Sequence, residues 1–263
     1  MEVKKIAISG ATGKMGRVIA SIIKARNDCL VICGIDKLNP AAYSDFPVYE
    51  NFTDIEAKPD VIIDFSHPSG LDSILNYCLT TGTPAVLATT GYSSDQIQKI
   101  EKASVQIPLF FTFNMSLGIN LLVNLAQDAA EILGEDFDVE IIEKHHNQKI
   151  DSPSGTALML ADAVNKVRGG KMINTYDRYA KRKKRDANEI GISSLRGGTI
   201  VGEHELCFCG RDEVITLKHE AYSKEVFAVG AVNAALFLCG QCPGMYDMGT
   251  LIHKKKHNTS SIF

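Results

Sequence analysis

Ile6-Ala-Ile-Ser-Gly10-Ala-Thr-Gly13-Lys-Met-Gly16-Arg17 sets three glycines between a short apolar run and an amphipathic helical pattern. Lys5–Ser9 reads as a buried strand, and Met15–Arg26 as a helix that turns Val18, Ile19, Ile22 and Ile23 inward. A dinucleotide site needs glycine at such a junction, for a tight turn and so that backbone can approach a pyrophosphate. The helix start beyond it supplies N–H groups and a favourable dipole. The spacing is G-x-x-G-x-x-G, so Ala11 and Thr12 depart from the commoner G-x-G-x-x-G. A second strand, Leu30–Ile35, runs into Asp36, 20 residues beyond Gly16, where an acidic side chain takes the adenosine ribose hydroxyls. Lys37 follows, and a cation there can pair with a 2′-phosphate, so both NADH and NADPH are expected to be usable.

Outward from this loop the chain keeps alternating. Val61–Phe65, Pro84–Ala88 and Leu109–Phe113 read as strands, with helical patterns over Leu71–Thr81 and Asp95–Ser104. Strands alternating with helices of this length give a parallel sheet built by right-handed crossovers. Ligands bind beyond the carboxyl ends of such strands, which makes Ala88, Thr89 and Thr90, and Thr112, Phe113, Asn114 and Met115, candidates to flank a nicotinamide. Beyond Ser116 the pattern changes. An apolar helix, Leu117–Leu133, leads to strand Val139–Lys144 and a helix over roughly Thr156–Val167. A polar stretch, Arg168–Ser194, precedes two strands, Glu203–Phe208 and Val214–Glu220, joined at the turn Cys209-Gly-Arg-Asp212, and a helix over Phe227–Cys239 closes the pattern. The expected fold is a Rossmann-type doubly wound α/β sheet with a second, α+β domain.

Composition narrows the class. Of 263 residues 45% are hydrophobic and 22% charged, and the net charge of −3 lacks the basic excess of a nucleic-acid binder. No run approaches the length of a membrane-spanning helix, and the N-terminal residues lack the apolar core and cleavage site of a signal peptide. Seven cysteines, an odd number, suggest free thiols in a reducing compartment, so a cytoplasmic metabolic protein is expected. Cys207-Phe-Cys209 and Cys239-Gly-Gln-Cys242 are mismatched pairs, and no metal site is expected from them. The basic runs Lys181-Arg-Lys-Lys-Arg185 and Lys254-Lys-Lys-His257 carry no interleaved aromatics and read as solvated surface.

Chemistry concentrates in Glu140-Ile-Ile-Glu143-Lys-His145-His146-Asn-Gln-Lys149-Ile-Asp151-Ser-Pro-Ser154-Gly155-Thr156-Ala157. A strand delivers two adjacent histidines, then a lysine, then a turn that opens a helix. Histidine exchanges protons near neutral pH, and lysine can donate one or hold a carboxylate. A Ser-Gly-Thr helix start offers backbone N–H groups to an anion. The pieces suggest an anionic small molecule, a proton donor and a hydride source.

The run fits E-x-x-E-x-H-H-x-x-K-x-D-x-P-S-G-T-A, and it resembles the signature of the dihydrodipicolinate reductase family. Supporting matches are Gly10–Arg17, Asp64-Phe-Ser-His-Pro68, Thr89-Thr-Gly91, Asn114-Met-Ser-Leu-Gly118, Arg196-Gly-Gly-Thr-Ile-Val-Gly-Glu-His204 and Pro243-Gly-Met-Tyr-Asp247. The resemblance implies a dinucleotide domain of residues 1–116 plus 227–263 around a substrate-binding and tetramerisation domain, 117–226. It implies reduction of 4-hydroxy-tetrahydrodipicolinate by NADPH or NADH in lysine and diaminopimelate biosynthesis, by a homotetramer. Carried over, His145 is the proton donor/acceptor and Lys149 the second proton donor, while His146, Gly155 and Thr156 hold a substrate carboxylate. Gly10, Ala11, Thr12, Gly13, Lys14 and Met15, with Asp36, Lys37, Ala88–Thr90 and Thr112–Met115, are the implied cofactor contacts. Ala88 stands where the family usually has glycine, and Met115 where an aromatic residue is common. Two rivals are a related dehydrogenase of another small anionic metabolite and a non-catalytic NAD(P) sensor. The intact His-His-x-x-Lys run argues against both.

Overall fold

The computed structural model describes residues 2–37, 45–179 and 181–259, with side chains up to Lys254. The chain divides into two compact units, Met1–Leu117 with Glu225–Phe263, and Gly118–Lys224.

The first unit is built on a parallel sheet. Its strands are β1 (Lys4–Ser9), β2 (Cys29–Ile35), β3 (Val48–Tyr49), β4 (Val61–Asp64), β5 (Ala85–Leu87), β6 (Pro108–Phe111) and β12 (Gly244–Tyr246), in the order β12-β6-β5-β4-β1-β2-β3. Every neighbouring pair is parallel. Strands covered on both faces need unbroken apolar runs, and Ile6, Ala7, Ile8, Val61, Ile62 and Ile63 are all fully buried. One face packs α1 (Lys14–Lys24), α6 (Glu225–Leu238) and α7 (Met248–Thr259), through Ile19, Ile23, Ala231, Val232 and Leu251. The other packs α2 (Leu71–Thr81) and α3 (Ser94–Ser104), through Ile74, Cys78 and Ile100. A capping box sets the start of α3: Ser93 Oγ accepts from the Gln96 N–H, and Gln96 Oε1 accepts from the Ser93 N–H. The small residues of α6 let it approach closely; a Cβ at Gly230 would fall 1.7 Å from the Met115 carbonyl oxygen. From β1 the strand order runs one way through β2 and β3 and the other way through β4 to β6. The glycine loop leaves β1 at that switch point, where α/β sheets open a ligand crevice.

The second unit follows α4 (Leu117–Leu133) with β7 (Asp138–His145), α5 (Gly155–Val167), β8 (Ile173–Thr175), β9 (Glu189–Arg196), β10 (Gly202–Cys209) and β11 (Val214–Ala221). Its mixed sheet has the order β11-β10-β7-β9-β8. One face carries Val139, Ile141, Ile190, Leu206 and Phe208 against Leu122, Ala126, Leu160 and Val164 of the two helices. Strict alternation along β7 sends Val139, Ile141, Glu143 and His145 to that buried side.

Two sequence expectations need correction here. The stretch Arg168–Ser194, read as polar connection, contains β8 and most of β9, the parallel neighbour of β7. Gly191 obscured it. A Cβ there would lie 1.8 Å from a carboxylate oxygen of Glu140, so this glycine clears space for a cross-strand side chain instead of breaking the strand. The basic run is also not all solvated. Arg185 folds onto the sheet, donating to Asp138 (2.7 Å), Glu140 (3.1 Å) and the carbonyls of Val139 and Glu189, while Arg182 and Lys184 remain exposed. In the tail, Lys254 lies 5.1 Å from the Phe237 ring centroid, and the side chains of Lys255, Lys256 and His257 lie outside the described residues. The seven cysteines are free, and among the described residues no group of three or more His, Cys, Asp or Glu side chains is placed to hold a metal.

Candidate active site

The glycine loop forms a cradle that side chains would fill. Gly10 has φ +78°, and a Cβ on it would meet the Phe65 carbonyl oxygen at 2.6 Å; one on Gly16 would meet the Gly10 carbonyl oxygen at 2.3 Å. Gly13 caps α1 with no side chain over the helix start. Thr12 donates both its N–H (3.0 Å) and its hydroxyl (2.6 Å) to one Asp36 oxygen, which ties the end of β2 to the loop. A cavity of about 450 Å³ opens here, lined by Gly10, Gly13, Asp36, Lys37, Ser66 and His67 among others. Backbone that tolerates only glycine, an open helix start and an acidic residue at the next strand end fit a dinucleotide.

Asp64, fully buried at the end of β4, organises the neighbouring loops. It accepts from Ser66 Oγ (2.6 Å), Thr89 Oγ1 (2.6 Å) and Tyr92 Oη (3.2 Å), and Thr89 in turn accepts from the Ser66 N–H. Burial and the Asp64 charge both raise the Tyr92 phenol, so it stays a donor. Ala88, Thr89 and Thr90 thus leave β5 on a braced loop. Beyond β6, Phe113 is 77% exposed whereas Met115 is only 4% exposed and sits in the core beneath α6. Of that segment, Phe113 presents its side chain outward, and Met115 has only main chain to offer a ligand.

In the second unit, β7 delivers a proton site. Glu143 is fully buried, and Arg196 of β9 grips it with a two-pronged fork, at 2.7 and 2.8 Å. The Ser154 N–H donates to it at 3.1 Å and His145 Nδ1 lies 2.5 Å away. Burial alone would raise the Glu143 carboxyl, but hydrogen bonds from Arg196, Ser194 and His145 together outweigh it and hold it at about 2. His145 is lowered, by burial first, with the charges of Lys149 and Arg196 opposing the pull of Glu143. Its ring stands edge-on to His204 at 5.1 Å, and His204 Nε2 meets Ser154 Oγ at 2.9 Å. Burial drives His204 down to about 3, so it is neutral. Lys149 pairs with Asp151 at 2.8 Å. Ser154 caps α5 by accepting from the Ala157 N–H, and Gly155 and Thr156 form the helix start. The Nδ1 of His146 is buried with no hydrogen-bond partner among the described residues.

Two family models meet where the first unit gives way to the second, and the second model also runs through residues 225–252, which belong to the first unit. One, described as dihydrodipicolinate reductase, N-terminus, matches residues 4–115, and the other, dihydrodipicolinate reductase, C-terminus, matches residues 118–252. The chain belongs to the dihydrodipicolinate reductase family. A relative from Caldanaerobacter subterraneus subsp. tengcongensis, named 4-hydroxy-tetrahydrodipicolinate reductase, is 48% identical over 250 residues, covering 95% of this chain and 98% of its own. One of the same name from Clostridium tetani is 47% identical over 249 residues, with 95% and 97% covered. Among solved structures, a dipicolinate-bound dihydrodipicolinate reductase from Paenisporosarcina sp. TG-14 superposes with a TM-score of 0.78 at 25% identity, covering 93% of this chain and 97% of that one. An aspartate dehydrogenase from Thermotoga maritima, at TM-score 0.51 and 9% identity, covers 91% and 98% and shares the fold alone.

Within this reductase the predicted residues fall into two groups, one in each unit: the glycine loop with Asp36 and Lys37, and His145, His146, Lys149, Gly155 and Thr156. The sequence assigns no role to Glu143, Arg196 or His204, or to Ser66 and His67 in the nucleotide cavity, and it gives Ser154 only a place in the anion-binding helix start, not its contacts with Glu143 and His204. Glu143 was accessible in principle, because it lies two residues from His145 on the same strand and so on the same face. Arg196 was not, since nothing local pairs it with a residue 53 positions away.

Proposed function

We propose that this chain reduces 4-hydroxy-tetrahydrodipicolinate to tetrahydrodipicolinate, with NADH or NADPH as reductant, in lysine and diaminopimelate biosynthesis. The observation that carries the reading is the array on β7, in which a buried, Arg-clamped carboxylate holds His145 beside Lys149 and the Ser154-capped start of α5. In the first unit, Gly10, Gly13 and Gly16 would take the pyrophosphate, and Asp36 and Lys37 the adenosine ribose with or without its 2′-phosphate. A nicotinamide held there supplies a hydride for C4 of the substrate.

The rest falls to the protein. The 4-hydroxyl leaves as water, and this departure consumes the one proton that the reduction takes up. With Nδ1 committed to Glu143, His145 presents Nε2 as its exchanging nitrogen, and Lys149 Nζ is the second donor. Asp151 pairs with the Lys149 ammonium and holds it in place. The Gly155 and Thr156 helix start and His146 orient the substrate by its carboxylates, so much of the rate comes from positioning. Free thiols accord with a cytoplasmic setting. A homotetramer is part of the reading, with the edge strand β11, where Val214 is exposed and Tyr222 follows just beyond the strand end, as the surface to examine by light scattering.

An assay that makes the substrate in situ from pyruvate and aspartate semialdehyde, following NAD(P)H absorbance, tests the proposal. Oxidation that depends on both precursors supports it. No oxidation with either cofactor would favour a nucleotide sensor.

A further inference from the structure

The Glu143 carboxylate is saturated with donors. Arg196 Nη2 and the Ser154 N–H reach Oε1, Arg196 Nη1 and His145 Nδ1 reach Oε2, and the Ser194 side chain adds a further hydrogen bond. An ionised carboxylate offers about four lone-pair sites and no proton, so His145 Nδ1 must be the donor and Nε2 carries the lone pair of the neutral ring. Nε2 faces the backbone of Gly202, where a Cβ would intrude to 3.2 Å. The same guanidinium also donates to the Asp151 carbonyl at 2.6 Å, in the loop that carries Lys149. One fork therefore fixes the His145 ring, the Lys149 loop and, through Ser154, the start of α5.

A bare carboxylate beside a histidine stabilises the imidazolium, but here burial and the guanidinium at contact distance on that carboxylate both work against it. The other groups facing His145 in this unit add no attraction. Lys149 is cationic, Asp151 is spent on Lys149, and His204, with His219 opposite it on β11, is neutral.

We propose that Arg196 is a positioning residue which, through Glu143, locks His145 in the Nδ1-protonated tautomer and keeps the ring neutral until a dicarboxylate binds. This rests on the reading of His145 as the proton-exchanging group. The arriving anion, and no residue already present, then supplies the negative charge that favours imidazolium, so the proton is loaded only when substrate is there to use it.

The test begins with the ligand-free protein, so that it does not depend on the reaction. Nitrogen-15 spectra of histidine-labelled protein, with His145 assigned by its loss in His145→Asn, should show a protonated Nδ1 and an unprotonated Nε2 at pH 7. Adding pyridine-2,6-dicarboxylate should protonate Nε2. In Glu143→Gln the single amide oxygen goes to Arg196 and the amide NH2 faces the ring, so the other tautomer should appear. In that variant kcat should fall about 10²–10⁴-fold while NADH affinity is unchanged. Arg196→Lys, which keeps the charge without the fork, should retain more activity than Arg196→Met. An Nε2-protonated or already charged His145 in the ligand-free protein would overturn the proposal, as would a Glu143→Gln variant with the original tautomer and kcat. If the tautomers are as expected but no reduction occurs, the positioning claim survives and the functional reading fails.

Discussion

Replacing Gly10 by alanine should separate the cradle from ordinary glycine effects. Two costs add at this position. An L residue at φ +78° pays about 1–2 kcal/mol. The new Cβ would also lie 2.6 Å from the Phe65 carbonyl oxygen, 2.9 Å from its carbon and 3.1 Å from Ser66 Cα, all main-chain atoms. Those atoms belong to the loop that Asp64 braces, so they cannot move aside cheaply, and overpacking of this kind costs about 1–3 kcal/mol more. The total is about 2–5 kcal/mol of stability. Gly82→Ala is the control: its φ is +68° but nothing lies within 4 Å of the added atom, so it should carry only the conformational cost. Displacing the loop moves backbone away from the pyrophosphate, and Gly10→Ala should bind NADH at least about tenfold more weakly, about 1.4 kcal/mol, with Gly82→Ala unchanged. Urea unfolding of both variants and fluorescence titration with NADH give the two numbers. If Gly10→Ala matched Gly82→Ala in stability and bound NADH within about twofold of the parent, the loop would not be the cofactor cradle.

Three further outcomes follow from the same geometry. Lys149→Ala should keep NAD(P)H binding while kcat falls about a hundredfold or more; an unchanged kcat would remove the lysine from proton delivery. Acid stability should decline in two steps. His204, held at about 3, is protonated only in the unfolded chain below about 6.5, so stability falls from there downwards. Glu143, held at about 2 against an ordinary 4.5, adds a second loss as pH drops below about 4.5, worth about 3 kcal/mol when complete, and Glu143→Gln should lack that second step in urea titrations run from pH 7 to 2.5. Finally, with Asp36 and Lys37 both at the cavity, the dissociation constants for NADH and NADPH should lie within about a thousandfold of each other, about 4 kcal/mol, by direct titration.

The parts of this molecule that were legible in sequence are those whose signals are local. Gly10, Gly13, Gly16 and Asp36 declare themselves by spacing along β1, α1 and β2, and Leu71–Thr81 and Leu117–Leu133 have the same bounds in the structure as in the helical pattern. What stayed hidden depends on partners distant in the chain. β9 was missed because Gly191 and the Ser193-Ser194 pair read as connection, yet its glycine is required by Glu140 across the sheet. Arg185 looked like one charge in a solvated run until Asp138 and Glu140 were brought beside it. In the candidate site, His145 and Lys149 were readable as chemistry, whereas the Arg196–Glu143 clamp that orients them exists only once β7 and β9 pair. Met115, placed by sequence in a nicotinamide loop, has its side chain in the core because α6 packs directly over it.

The proposed hydride delivery to C4 of a cyclic dicarboxylate can be traced with NADH bearing deuterium at both hydrogens of nicotinamide C4, and substrate generated from pyruvate and aspartate semialdehyde. The expected outcome is a tetrahydrodipicolinate product with one deuterium, located at C4 by NMR, formed in step with NADH consumed. A product without deuterium, or with the label at another carbon, would contradict it.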